Sequence, residues 1–339
     1  MMSGTGRIVA GGAMQPREFI GESQAIKGLR TLVTRVARSK ANAVLIYGET
    51  GSGKGLVAQE LHKQSHRARK PFVDVNCGSI PADLFDQELF GQEKGTLAGA
   101  LMRKNGLINA ANGGTLFLDE IRELNHMAQT KLLGLLDRKS FRRLGAVNDV
   151  EVDVRFVCAT NQILFQEVKA GHFRDDLYYR LQVVSINLPP LRARGEDCLV
   201  LTEYFIRRFN DRYNRVIRGW DTDVAEVFLT YDWPGNVREL ENLLERIFVL
   251  ETEDVIKAKH IPPRIMREVE VGSPPPDVQG NDPTSGITDL PFQTATEAFQ
   301  KDLIRQSLAK AHGKKSAAAE SLGLTRHALR HQMNKLGMR

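Results

Sequence analysis

Short apolar runs alternate with stretches of helical periodicity over the first half of the chain. Val44 to Tyr47, Pro71 to Asn76 (PFVDVN), Gly114 to Glu120 (GTLFLDE), Val154 to Ala159 and the VVSIN run within Leu177 to Leu191 read as strands. Between them, Ile26, Leu29, Leu32, Val33 and Val36 fall at helical spacing, and helices are expected at Pro81 to Leu89 and Met127 to Asp137. Beyond the double proline Pro189–Pro190 only helical patterns follow, over 197–213, 222–230 and 236–250. Strands alternating with helices and then helices alone predict an α/β fold, a parallel-sheet sandwich followed by a small helical lid.

The pattern breaks at 271–291, where five prolines and three glycines leave no helical period and predict a semi-stiff linker. Three helices are expected after it, at 292–311, 316–322 and 325–336, with Gly323 in the last turn. On a wheel of the third helix, Leu329, Met333 and Leu336 share one side. Arg326, His327, Arg330 and His331 spread over the other, and Lys335 adds charge near the end. One packing face and one basic face, with Thr325 placed to cap the helix, describe an all-α helix-turn-helix that reads double-stranded DNA.

Charge supports that reading. The chain of 339 residues has a formal net charge of +6. Residues 292–339 hold nine Lys or Arg against three Asp or Glu, so the whole surplus lies at one end. Composition is otherwise that of a globular protein, 42% hydrophobic and 26% charged, with no run long enough to span a membrane. Cys77, Cys158 and Cys198 are too far apart for a zinc site or a disulfide framework, which points to a cytoplasmic protein. The glycine-rich stretch 1–16 is expected to be a disordered tail.

Two motifs carry chemistry. Gly48 to Gly55 reads Gly-Glu-Thr-Gly-Ser-Gly-Lys-Gly after a strand and before a helix. Backbone without Cβ can fold there into a nest of N–H groups around phosphates, with Lys54 reaching the outer ones. GTLFLDE then ends a strand in Asp119 and Glu120, placing one acid to hold Mg²⁺ and the next to polarise a water. Either motif alone also fits an ordinary glycine turn or an acidic strand end. Together they predict ATP and Mg²⁺ as ligands of a nucleotide hydrolase. Polar strand ends at Asn76, and at Thr160 and Asn161, are expected to face the same crevice.

The chain from Phe19 to about Arg267 resembles the AAA+ domain of bacterial enhancer-binding proteins, the activators of sigma-54 RNA polymerase. FIGES at 19–23, GETGSGKG at 48–55, VNC at 75–77, ELFGQEKG at 88–95 and GGTLFLDEI at 113–121 carry the likeness. CATN at 158–161, FRDDLYYRL at 173–181, LPPLRARGED at 188–197 and WPGNVRELEN at 233–242 extend it, and the C-terminal segment resembles the Fis-type helix-turn-helix. The resemblance implies a P-loop three-layer sandwich over 17–192, a helical lid over 193–270 and a DNA-binding domain over 292–339.

It further implies that Lys54 binds the phosphates and Asp119 the Mg²⁺. Glu120 would position the water, Asn76 would act as a switch through Glu120, Thr160 with Asn161 would form sensor I, and Arg238 sensor II. Arg174 and Arg180 match arginine fingers that reach a neighbouring subunit, which implies a hexamer or heptamer, with a dimer as a form without nucleotide. Two positions depart from the family pattern. Gly55 stands where an acid follows the lysine. Gly95, Thr96, Leu97, Ala98, Gly99 and Ala100 stand where the sigma-contact loop reads GAFTGA. The second departure leaves open a DNA-binding regulator or repressor that does not act on sigma-54, with ATP controlling assembly.

Overall fold

A computed structural model describes residues 7–9, 19–81, 83–94, 103–272, 304 and 333. The chain forms two units, 1–273 and 274–339. In the second, Ile304 and Met333 are both buried, and Met333 belongs to the side of the third helix expected to pack. The DNA-facing set Thr325, Arg326, His327, Arg330, His331 and Lys335 and the loop Gly95 to Ala100 lie outside the described residues.

The first unit is built on six strands, β1 (Arg7–Val9), β2 (Ala43–Tyr47), β3 (Phe72–Asn76), β6 (Thr115–Asp119), β9 (Arg155–Thr160) and β10 (Ser185–Asn187), in the order β1-β3-β6-β9-β2-β10. All pairings are parallel except β1 with β3. The strand at Arg7–Val9 corrects the expectation of a wholly disordered tail over 1–16: a short edge strand needs backbone partners, not an apolar pattern, and β3 supplies them at Phe72 to Asp74.

Side chains alternate between two cores, as a sheet covered on both faces requires. Val44, Ile46, Phe117 and Val157 pack under α1 (Gln24–Ala37) and α2 (Lys54–Lys63). Leu45, Val75, Leu118 and Cys158 pack beneath α3 (Phe85–Phe90), α4 (Leu107–Ala110), α5 (His126–Arg138), α6 (Leu164–Lys169) and α7 (Asp175–Leu181). The expected helix from Pro81 forms only from Phe85, after a turn closed by the Leu84 N–H on the Pro81 carbonyl at 3.0 Å. Two small ladders add to this layer: β4 (Gly91–Gln92) with β5 (Lys104–Asn105), and β7 (Ser140–Arg142) with β8 (Asp149–Glu151).

The lid comprises α8 (Asp197–Tyr213), α9 (Thr222–Thr230), α10 (Asn236–Leu250) and α11 (Pro263–Gly272), with a short parallel pair β11 (Gly219–Trp220) and β12 (Val255–Ile256). Its own core runs through Phe205, Phe209, Phe228, Trp233, Leu244 and Phe248. The start of the first unit is tied to the lid at Asp197, which is buried and accepts from the Glu22 and Ser23 N–H groups at 2.6 and 2.8 Å and from the Ser23 hydroxyl at 2.6 Å. All three cysteines are buried and unbridged. Among the described residues no helix is long and apolar enough to cross a membrane.

Candidate functional site

In an open parallel sheet the ligand crevice lies at the carboxyl ends of the strands where their order reverses. β2 sits at that reversal, and the glycine-rich loop follows it directly. Register brings the polar strand ends level: Asn76 opposite Asp119, and Tyr47 opposite Thr160. A cleft of about 400 Å³ opens there, lined by the loop, Lys54, Asp74, Asn76, Asp119, Glu120 and the lid residue Arg238.

The Lys54 side chain is 6% exposed and folds back over the loop, donating to the Gly48 and Glu49 carbonyls at 3.0 and 3.4 Å. Its ammonium lies 3.9 Å from the Glu120 carboxylate. Glu120 takes a left-handed backbone conformation, φ 53°, just past the end of β6. A non-glycine residue rarely sits there without a constraint from its surroundings. Its N–H donates to the Asp119 carboxylate at 3.0 Å. Burial raises the Glu120 pKa above the usual carboxylate range, with Lys54 opposing and Asp119 adding to the rise.

The remaining expected residues divide by position. Gly51, Gly53, Gly55, Thr50, Asn76 and Arg238 line the cleft. The Asn76 amide oxygen is held by the Gly78 N–H at 2.9 Å, as the cap of a short turn. The Asn161 amide donates to the Thr50 hydroxyl at 3.3 Å, which ties the end of β9 to the loop. Thr160 is buried, and its hydroxyl exchanges hydrogen bonds with the Gln162 backbone at 3.3 Å. Arg174 makes a paired contact with Asp176 at 3.0 and 2.7 Å, and Arg180 pairs with Asp137 at 3.0 Å. Neither arginine lines the cleft of its own chain.

Glu49 was expected at the nucleotide, and its carboxylate instead turns to the lid. It meets Arg192 at 2.9 and 2.6 Å and the Asn236 amide at 3.0 Å. Arg194, 2% exposed, donates to the Ser52 and Pro189 carbonyls, and burial lowers its pKa to about 10. Arg192, Arg194 and Asn236 therefore position the loop, although sequence reasoning gave them no site role. A second recess of about 60 Å³ opens beside Ser52 and Gly53, with Phe19, Ile20, Leu56, Leu201, Tyr204 and Val237 among its walls. The sequence assigns none of these residues a site role, although Phe19, Ile20 and Val237 lie within the FIGES and WPGNVRELEN matches.

Three family models match in succession: the sigma-54 interaction domain over residues 19–187, the AAA+ ATPase lid domain over 192–276, and the bacterial regulatory protein Fis family over 295–336. The chain is 42% identical over 320 residues to the response regulator protein PilR of Pseudomonas aeruginosa, covering 94% of this chain and 70% of that one. It is 40% identical over 318 residues to the transcriptional regulatory protein ZraR of Klebsiella oxytoca, covering 94% and 68%. Among solved structures, NtrX from Brucella abortus, crystallised with ATP, matches with a TM-score of 0.71 at 33% identity, covering 95% of this chain and 70% of that one. The chain belongs to the family of sigma-54-dependent transcriptional regulators, with an AAA+ ATPase domain joined to a Fis-family helix-turn-helix.

Proposed function

We propose that the protein hydrolyses ATP in a hexameric or heptameric ring and uses the cycle to remodel sigma-54 RNA polymerase in the cytoplasm, while its C-terminal unit holds double-stranded DNA. The observation that carries hydrolysis is Glu120, fixed in a left-handed conformation between Lys54 and Asp119 at the cleft. Nucleotide binding is supported by the relative crystallised with ATP.

The donor set fits Mg²⁺, which keeps several waters and takes one or two carboxylates together with phosphate oxygens. Asp119 would hold it, and when bound it would neutralise charge on the phosphates. Gly55 supplies no ligand. Lys54 binds the outer phosphates, and the Glu120 carboxylate orients the attacking water and takes up its proton. Asn76 and Asn161 border the terminal phosphate and link its presence to the ends of β3 and β9. Arg238 joins from the lid, and Arg174 and Arg180 act on a neighbouring subunit's cleft.

Glu120→Gln keeps shape and hydrogen bonding while removing the charge. Turnover is expected to fall at least about a hundredfold, with ATP affinity retained. Retained turnover would take Glu120 out of the reaction. Transcription from a sigma-54 promoter, with and without hydrolysable ATP, tests the remodelling step.

A further inference from the structure

The inward side of α5 is apolar at Ala128, Leu132, Leu135 and Leu136 and polar at Gln129, whose side chain is 0% exposed. A buried amide costs stability unless its donors and acceptor are met, and an apolar side chain of the same length would fill the space without that cost. The Gln129 amide is fully met. Its nitrogen donates to the Leu124 carbonyl at 2.7 Å and the His172 carbonyl at 3.0 Å, and its oxygen accepts from the Arg174 N–H at 2.9 Å.

All three partners are backbone groups, and they belong to two separate segments. Leu124 closes the short turn Ile121–Glu123 that follows Glu120. His172 and Arg174 lead into α7, which begins at Asp175. One amide thus joins the turn behind Glu120 to the residue that heads α7.

The same helix meets both arginines at their side chains. The Thr130 hydroxyl accepts from the Arg174 guanidinium at 3.3 Å, and Arg180 reaches the Leu136 carbonyl at 3.4 Å and the Asp137 carboxylate at 3.0 Å. These contacts lie at the surface, where a guanidinium can exchange them for a phosphate on another subunit. The Gln129 contact is buried and made to the main chain, so it sets where Arg174 starts from whatever its side chain does. Placement matters here, because an error of about 1 Å in a catalytic group can cost on the order of a hundredfold in rate.

We infer that Gln129 is a positioning residue for the arginine that α7 offers to the adjacent subunit: by bonding the Arg174 main chain to α5 and to the turn after Glu120, it fixes the arginine for a cleft other than its own. This rests on the reading of Arg174 as an arginine finger, and it places the effect of Gln129 in the neighbour's cleft.

Gln129→Met keeps the length of the side chain and removes its three hydrogen bonds. In the full chain, turnover measured by phosphate release is expected to fall about a hundredfold, while affinity for an N-methylanthraniloyl-labelled ADP stays within about twofold. Mixing under conditions where the variants co-assemble then locates the fault. Gln129→Met should regain activity with Glu120→Gln, whose subunits offer intact arginines to its intact clefts, and should gain none with Arg174→Ala, which shares the fault. Any other pattern overturns the assignment, as does full turnover in Gln129→Met alone. Rescue by Arg174→Ala only would move the fault to the variant's own cleft, through Leu124. Where Gln129→Met does not bind ADP, Gln129→Asn, which keeps the amide and shortens its reach, takes its place with the same expected pattern. Loss of ADP binding in both marks Gln129 as a support of the fold and overturns the assignment. If Arg174→Ala keeps its turnover, or is itself not rescued by Glu120→Gln, the finger reading falls and takes the assignment with it. That result is distinct from failure of Gln129→Met beside a rescued Arg174→Ala.

Discussion

The buried amide of Asn236, at the start of a lid helix, donates to the carboxylate of Glu49 in the phosphate loop at 3.0 Å. The same nitrogen reaches the Thr50 carbonyl at 3.1 Å, and the amide oxygen accepts from the Leu191 N–H at 2.7 Å. Arg192 grips the other side of Glu49, but its side chain is 42% exposed. The two contacts should differ in worth. Arg192→Ala is expected to cost under about 1 kcal/mol, as for most exposed ion pairs. Asn236→Ala leaves the buried Leu191 N–H unpaired and should cost about 1–3 kcal/mol. Urea unfolding of both variants measures this, and equal losses would contradict the ranking.

Gly51 lets the lid approach the loop. Its φ is +77°, and an added Cβ would lie 2.1 Å from the Gly235 carbonyl oxygen and 3.0 Å from the Arg238 Cβ. Gly51→Ala must push the lid away from the nucleotide or strain the loop. The expected result is a loss of ATP affinity of at least about tenfold, the equivalent of about 1.4 kcal/mol, with helical content by circular dichroism retained. Unaltered affinity would show that this close approach is not needed for binding.

Elements with strong local signals were legible in the sequence. The lid helices at Asp197–Tyr213 and Asn236–Leu250 coincide with their apolar periodicity. β2 and β6 agree to within a residue because each is an apolar run ended by a glycine or an acid. The strands Ser140–Arg142 and Asp149–Glu151 were not legible, since only Phe141 among their side chains is buried. The cleft was legible where the motif is local, at Lys54, Asp119 and Glu120. It was not legible where partners lie far apart in the chain, as Glu49 does from Asn236 and Asn161 from Thr50. Nothing within a short window says that the acid of a phosphate loop will turn towards a lid.

His62 makes stability depend on pH. Its ring is 2% exposed, packs 5.2 Å from Phe72 and hydrogen-bonds through Nδ1 to the Thr115 hydroxyl at 2.9 Å. Burial lowers its pKa below the usual histidine value. The unfolded chain therefore takes up the proton at a higher pH, near about 6.5, than the folded chain does. Stability from this residue is full above that pH and declines as the pH falls towards the folded pKa. The melting temperature should drop from about pH 7.5 to 5.5, and His62→Gln should flatten that slope. An identical slope in the variant would assign the dependence to other groups.

Arg180 offers the sharpest test of ring catalysis, because its guanidinium is away from its own cleft. It pairs with Asp137 at 3.0 Å and is 49% exposed, so its removal should change stability by less than about 1 kcal/mol. If it serves a neighbouring cleft, Arg180→Ala should nonetheless lower turnover by roughly a thousandfold, the scale of an arginine finger, and leave ADP affinity intact. Glu120→Gln subunits fail for the opposite reason, having an intact arginine and a disabled cleft. In a mixture, some interfaces pair an intact Glu120 with an intact Arg180 from the adjacent subunit. ATPase activity should then reappear on mixing two inactive variants, rising to a maximum near equal proportions. Mixtures that stay inactive at every ratio, under conditions where the variants co-assemble, would place Arg180 outside the neighbour's site. Arg174→Ala, mixed in the same way, separates the two arginines: both should complement Glu120→Gln, and neither should complement the other when they serve the same interface.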